Sequence, residues 1–147
     1  MLRITIITVG KKHDKTLQGA IEHYQGRVQP YCRLEWQFVS PSDVATESAK
    51  ILSLSDNKLR VLLDERGQMV SSHDIASSLE SWMTHAQNDI ALIIGGAYGV
   101  SDELRSQSDQ LISLGAITLP HQLVRLVLLE QLYRGFSILS GSNYHHG

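Results

Sequence analysis

Apolar and polar positions along the chain switch between the short period of strands and the longer period of helices. Leu2 to Val9 is apolar enough to be a buried first strand, and Gly10 ends it. A polar loop from Lys11 to Lys15 carries three lysines, and the helix from Asp14 puts Leu17, Ala20, Ile21, Tyr24 and Val28 on one face before stopping near Pro30. Arg33 to Val39 reads as a second strand, with Leu34, Trp36 and Phe38 facing one way. Pro41 and Asp43 open a weakly amphipathic helix through Leu54. Leu59 to Leu63 is a third strand, closed by the turn Asp64-Glu65-Arg66-Gly67. A helix from Ser72, its cap, to Gln87 keeps Ile75, Leu79, Trp82 and Met83 at helical spacing. Ile90 to Ile94, a fourth buried strand, runs into Gly95-Gly96-Ala97-Tyr98-Gly99. Ser101 caps the next helix, where Asp102 and Glu103 suit the positive end of the dipole and Leu104 starts the apolar side. Ala116 to Leu119 is expected to form a fifth short strand before Pro120 starts the last helix.

Strands alternating with helices in this way predict one α/β domain over residues 1–147, a mainly parallel sheet with helices on both faces. The 147 residues are enough to bury a real core. From Leu123 to Leu139 the last helix is apolar on nearly every side, which predicts burial against both its own domain and a partner chain. Its polar exceptions form two patches. Glu130 and Arg134, spaced i, i+4, read as a structural ion pair. His121, Gln122 and Arg125 share a sector beside the helix N-terminus, where free amides suit an electron-rich group, and are the better functional candidate.

Composition narrows the function. The net charge of −2 argues against broad, non-specific nucleic-acid binding, while leaving room for an RNA read by a local patch. No run approaches the ~18 apolar residues of a membrane span. No signal peptide is expected from Met1 to Val9, and a single cysteine, Cys32, fits a reducing cytoplasm. Among the histidines only His145 and His146 are close, and adjacent residues rarely ligate one metal, so no metal site is expected.

In open α/β sheets ligands bind beyond the carboxyl ends of the strands. Three loops qualify: Leu63 to Gly67, Ile94 to Gly99, and Leu114 to Leu119. The glycines of the second either let a flat cofactor lie against the main chain or simply make turns. They do not spell the dinucleotide or phosphate-loop fingerprints, and no serine sits in a hydrolase elbow. Asp64 and Glu65 read equally as acid-base groups or as a solvated turn.

Taken together, Leu62-Leu63-Asp64-Glu65-Arg66-Gly67, Ile94-Gly95-Gly96-Ala97-Tyr98-Gly99, Thr118-Leu119-Pro120-His121-Gln122-Leu123-Val124-Arg125, Leu129-Glu130-Gln131-Leu132-Tyr133-Arg134 and Tyr144-His145 resemble successive motifs of the ribosomal RNA large subunit methyltransferase H family, of the SPOUT class. The resemblance runs from Ile7-Thr8-Val9-Gly10-Lys11 to the end of the chain. It implies a C-terminal trefoil knot, an exception to the usual absence of knots. It also implies a homodimer packed through the terminal helix, and S-adenosylmethionine held in the knot. The implied cofactor positions are Leu63, Gly95, Gly96, Leu114, Gly115, Ala116, Ile117, Thr118 and Leu119.

The implied reaction is methylation of N3 of a pseudouridine in large-subunit (23S) ribosomal RNA, within the assembled ribosome. It requires alignment of the reacting atoms and removal of the N3 proton. On this reading His145 accepts the proton, Tyr144 stacks on or hydrogen-bonds the base, and Arg125 and His121 hold RNA phosphate or the ring carbonyl. Without the resemblance His145 reads as part of a frayed terminus. Gly115 departs from the serine common in the family, Asn143 from a proline, and His146-Gly147 from a basic ending, which predicts a freer tail; the segment after Pro41 is also shorter than usual. The competing class is a non-enzymatic α/β nucleotide-binding module using the same loops.

Overall fold

Strands and helices succeed one another as the periodicity predicts in the computed structural model, which describes residues 1–85 and 88–147. They are β1 (Arg3–Val9), α1 (Lys15–Val28), β2 (Arg33–Val39), α2 (Val44–Leu54), β3 (Leu59–Met69), α3 (Ser72–Thr84), β4 (Asp89–Ile94), α4 (Asp102–Ser106), β5 (Gln110–Ser113) and α5 (His121–Ser140). The five strands form one parallel sheet in the order β2-β1-β4-β3-β5. Parallel neighbours need crossover connections, and the helices that supply them cover both faces. Alternate residues of β1 serve the two faces. Ile4 and Ile6 join a core with Ile21 of α1, Leu79 of α3 and Leu129 and Phe136 of α5, whereas Ile7 and Val9 pack with Ile51 of α2 and Leu104 of α4.

The helix starts follow from side-chain caps. Asp14, Asp43 and Ser101 accept amide hydrogen bonds from Thr16, Thr46 and Leu104. The cap of α3 is Ser71 rather than the expected Ser72, because Asp74 completes a reciprocal capping box with Ser71. This helix ends at Thr84, and its predicted extension through Ala86 and Gln87 lies outside the described residues.

Two strand expectations are corrected. The turn predicted at Asp64–Gly67 lies inside β3: the ladder runs to Leu63, resumes at Gln68, and both residues pair with Ile112, so the intervening four residues arch out of the sheet. The fifth strand is Gln110–Ser113, not Ala116–Leu119. Ser113 Oγ donates to the Gly115 carbonyl at 2.9 Å and Gly115 adopts a φ of +153°, a turn that carries the following residues away from the sheet and leaves Ala116, Ile117 and Thr118 exposed.

Helix α5 lies between α1 and α3 on one face of the sheet. Its Leu128, Leu129, Leu132 and Phe136 are buried, while Leu123, Leu126, Val127 and Ile138 are only half-buried. Gly135 marks the closest approach to α3, since a Cβ there would lie 2.8 Å from Leu79 Cδ1. Among the described residues no helix is long and apolar enough to cross a membrane.

Candidate active site

The arch within β3 lies beside the carboxyl ends of β4 and β5 in the sheet, so the three segments converge. Between them is a cleft of about 920 Å³, lined by all nine predicted cofactor residues: Leu63, Gly95, Gly96, Leu114, Gly115, Ala116, Ile117, Thr118 and Leu119. His121 and Val124 from the first turns of α5 complete the wall. The volume stands near the top of the range of roughly 300–1,000 Å³ usual for ligand sites. Absent side chains shape the floor: a Cβ on Gly95 would meet Val100 Cγ1 at 2.6 Å, and one on Gly96 would meet Glu47 Oε1 at 2.7 Å. Backbone from three loops, apolar walls at Leu63, Leu114 and Leu119, and this bare floor suit a nucleoside-bearing cofactor.

The arch of β3 is braced from α4. Arg105 Nε donates to Asp64 Oδ2 at 2.6 Å, and the Arg66 amide donates to Asp64 Oδ1 at 2.8 Å. Burial on its own would raise the Asp64 pKa, but these hydrogen bonds and the Arg105 and Arg66 charges outweigh it and hold the carboxyl below its ordinary value. Asp64 therefore stays ionised and serves as a brace rather than as a proton carrier.

Arg125 corrects an expectation. Predicted to hold substrate, it is fully buried and does not line the cleft. Its Nη1 donates to the Lys12 carbonyl at 2.9 Å and to His13 Nδ1 at 3.2 Å, and its Nη2 donates to the Val9 carbonyl at 3.1 Å. His121 Nε2 donates to the same Val9 carbonyl at 2.7 Å. Gln122 holds the loop further, accepting from the Asp14 amide at 3.0 Å and donating to the Lys12 carbonyl at 3.2 Å. The polar sector at the start of α5 thus fastens the β1–α1 loop, and of its three residues only His121 reaches the cleft. Burial, then the Arg125 charge, lower the His13 pKa, which keeps its Nδ1 available as an acceptor.

Tyr144 and His145 lie elsewhere. Tyr144 packs edge-on against Tyr133 at 4.7 Å, its hydroxyl is 3.4 Å from that of Tyr24, and the Arg134 guanidinium sits 4.7 Å over its ring. Burial and the Tyr24 hydrogen bond push the Tyr144 pKa up to about 12, so the phenol is protonated at neutral pH. Arg134 Nη1 donates to His145 Nδ1 at 3.0 Å, and His145 meets His73 edge to face at 4.9 Å. Partial desolvation, then the charges of His73, Arg134 and His146, lower the His145 pKa. The tail expected to be freer for Asn143 and Gly147 is instead docked on α1, α3 and α5. From His121 to Arg134 the axis of α5 covers about 20 Å at roughly 1.5 Å per residue, so cleft and tail are separate within one chain.

Arg134 is the residue whose role the sequence pattern understated. It forms the expected ion pair with Glu130 at 2.6 Å and, in addition, orients both tail residues. Its i, i+4 spacing signalled only the pair.

Comparison with known proteins identifies the family. Residues 2–145 match the family model described as predicted SPOUT methyltransferase. The chain is 39% identical over 158 residues to the ribosomal RNA large subunit methyltransferase H of Acetivibrio thermocellus, covering 98% of this chain and 99% of the relative. It is 37% identical over 153 residues to that of Geotalea daltonii, covering 99% and 100%. A solved structure, a probable methylase family protein from Haemophilus influenzae Rd KW20, superposes with a TM-score of 0.60 at 14% identity over 100% of this chain and 72% of its own, a likeness of fold. A family match over nearly the whole chain, joined to a cleft built from the loops the motifs single out, places this protein in the SPOUT methyltransferase family, among the ribosomal RNA large subunit methyltransferases H.

Proposed function

We propose that this protein transfers a methyl group from S-adenosylmethionine to N3 of a pseudouridine in 23S ribosomal RNA of the assembled ribosome. The observation that carries the reading is the convergence of Leu63, Gly95, Gly96 and the Leu114–Leu119 loop on one cleft at the carboxyl end of the sheet. Those residues hold the cofactor, which when bound supplies a methyl group already activated on a sulfonium sulfur. The remaining work falls to protein groups that place the base and accept or offset its N3 proton.

Tyr144 and His145 are the groups assigned to the base. Because they stand apart from the cleft of their own chain, they act at the cleft of a partner in a homodimer. Half-buried Leu123, Leu126, Val127 and Ile138 on α5 supply the apolar surface for that contact. His145 Nδ1 is engaged by Arg134, so a neutral ring presents Nε2–H to the substrate, and it takes up a proton only as the Arg134 bond yields. Arg125 positions the first turn of α5 from behind. The threading of α5 through the preceding loops as a trefoil knot and a cytoplasmic location belong to the same reading.

Mass analysis of ribosomal RNA tests it. Ribosomes lacking the modification, incubated with the protein and S-adenosylmethionine, should gain one methyl group on a single pseudouridine. Unchanged RNA would defeat the proposal. Deleting the residues after Ser142 should abolish methylation and leave cofactor affinity intact; loss of both would contradict the assignment of the tail to substrate.

A further inference from the structure

Tyr98 is the most exposed large apolar side chain among the described residues, at 91%, and Ile117 follows at 80%. Both stand on the rim of the same cleft, on two different loops. Chance placement of the two most exposed apolar groups beside the one cleft that fits the cofactor is a poor account of them, because ordered apolar side chains gain by burial wherever a neighbour exists. The turn that carries Tyr98 is well made. The Gly99 amide donates to the Gly96 carbonyl at 3.0 Å, and Gly99 takes a φ of +84°, a conformation that glycine adopts without a steric cost. Ala97 and Tyr98 form its tip, so the ring is held out at the mouth of the cleft.

The rim also carries charge. Arg66, on the arch of β3, is exposed and makes no ion pair among the described residues, whereas Arg105 is neutralised by Asp64 and Asp102. An aromatic face on the same rim as an exposed guanidinium matches the chemistry of single-stranded RNA, whose bases stack on aromatic rings while phosphates seek cations. The reacting base must pass this rim to reach the cofactor.

We propose that Tyr98 is a stacking platform for an unpaired base of the substrate RNA, with Arg66 on the same rim facing its phosphate. The inference rests on the methyltransferase reading above and adds a substrate-binding site to it. Stacking on one aromatic residue corresponds to about five- to 150-fold in affinity. Methylation kinetics on unmodified ribosomes should therefore show the KM of Tyr98→Ala raised by about that factor, with kcat changed less than twofold. Tyr98→Phe should restore the KM, since stacking uses the ring and not the hydroxyl. Arg66→Ala should raise KM at low salt and lower the salt dependence of KM by about one unit of logarithmic slope.

Calorimetry with S-adenosylmethionine and sedimentation of each variant complete the test, with cofactor affinity and oligomeric state expected to match the unaltered protein. An unchanged KM in Tyr98→Ala overturns the stacking assignment, and an unchanged salt slope in Arg66→Ala overturns the phosphate contact. Loss of cofactor affinity in Tyr98→Ala makes the ring a cover for the cofactor, and dissociation into monomers makes it a dimer contact; either overturns the proposal. An unaltered protein that methylates no ribosomes defeats the underlying reading, and this site with it, whereas failure confined to the variants defeats the site alone.

Discussion

Alanine at Gly67 should destabilise the protein, whereas the same substitution at Gly19 should stabilise it. Gly67 sits where β3 rejoins β5 after its arch, and an added Cβ would lie 2.6 Å from both Ile112 N and Leu111 C and 2.7 Å from Leu111 O. Ordinary contact begins near 3.4 Å, and all three neighbours are backbone atoms of a paired strand, so the two strands must part by about 0.8 Å. Overpacking of this kind costs about 1–3 kcal/mol, at the upper end where no flexible side chain can yield. Reduced freedom of the unfolded chain returns about 0.4–1 kcal/mol, leaving a net loss of about 2 kcal/mol. Gly19 lies on the exposed side of α1 with nothing within 4 Å of its would-be Cβ, so alanine there should gain about 0.5–1 kcal/mol through helix propensity. Urea unfolding at one fixed protein concentration measures both, and calorimetry should show weaker cofactor binding for Gly67→Ala only, because the Leu114–Leu119 loop follows β5. Equal stability of the two variants would refute the packing account of the arch.

Three further outcomes follow from the structure. Asp64→Ala removes a largely buried partner of Arg105 and should cost about 1–3 kcal/mol at pH 7, between the values for exposed and fully buried pairs. Since folding lowers the Asp64 pKa, its contribution is present above the unfolded value of about 3.9 and is lost as pH falls through the folded one. Urea midpoints of variant and unaltered protein should accordingly converge in acid, and a gap independent of pH would contradict this. Arg125→Lys cannot reach Val9, Lys12 and His13 together, and a loss of about 2 kcal/mol in the same assay is expected; full stability would show that the planar fork is dispensable. Burial pushes the Cys32 thiol up to about 12, so iodoacetamide should label it only after unfolding, and rapid labelling of the native protein would refute its burial.

The central strands were legible because β1, β4 and the Leu59–Leu63 part of β3 are mainly apolar runs with buried residues on both faces, a pattern that few other elements produce. The edge strand was not. Gln110–Ser113 offers only Leu111 and Ile112, while Ala116–Leu119 is the more apolar run but lines the cleft, its apolarity facing ligand space rather than a sheet. The cofactor loops could be read from glycine content and their position after strands. The role of Arg125 could not, because its partners come from the opposite end of the chain and two of them are backbone carbonyls, which leave no mark in residue type. The docked tail escaped for a similar reason, as Tyr24 and His73 meet it only once α1 and α3 have flanked α5.

The proposed activity requires the cleft between the β3, β4 and β5 loops to be the cofactor site. Titration calorimetry with S-adenosylmethionine tests it most directly, comparing the unaltered protein with Gly96→Trp, whose Cβ alone would lie 2.7 Å from Glu47 Oε1, so that the added indole must displace the loop that lines the cleft. Saturable binding to the unaltered protein that disappears in Gly96→Trp, with the fold of the variant retained by circular dichroism, is the predicted result. Absence of binding to the unaltered protein, or equal affinity in a folded Gly96→Trp, would contradict it.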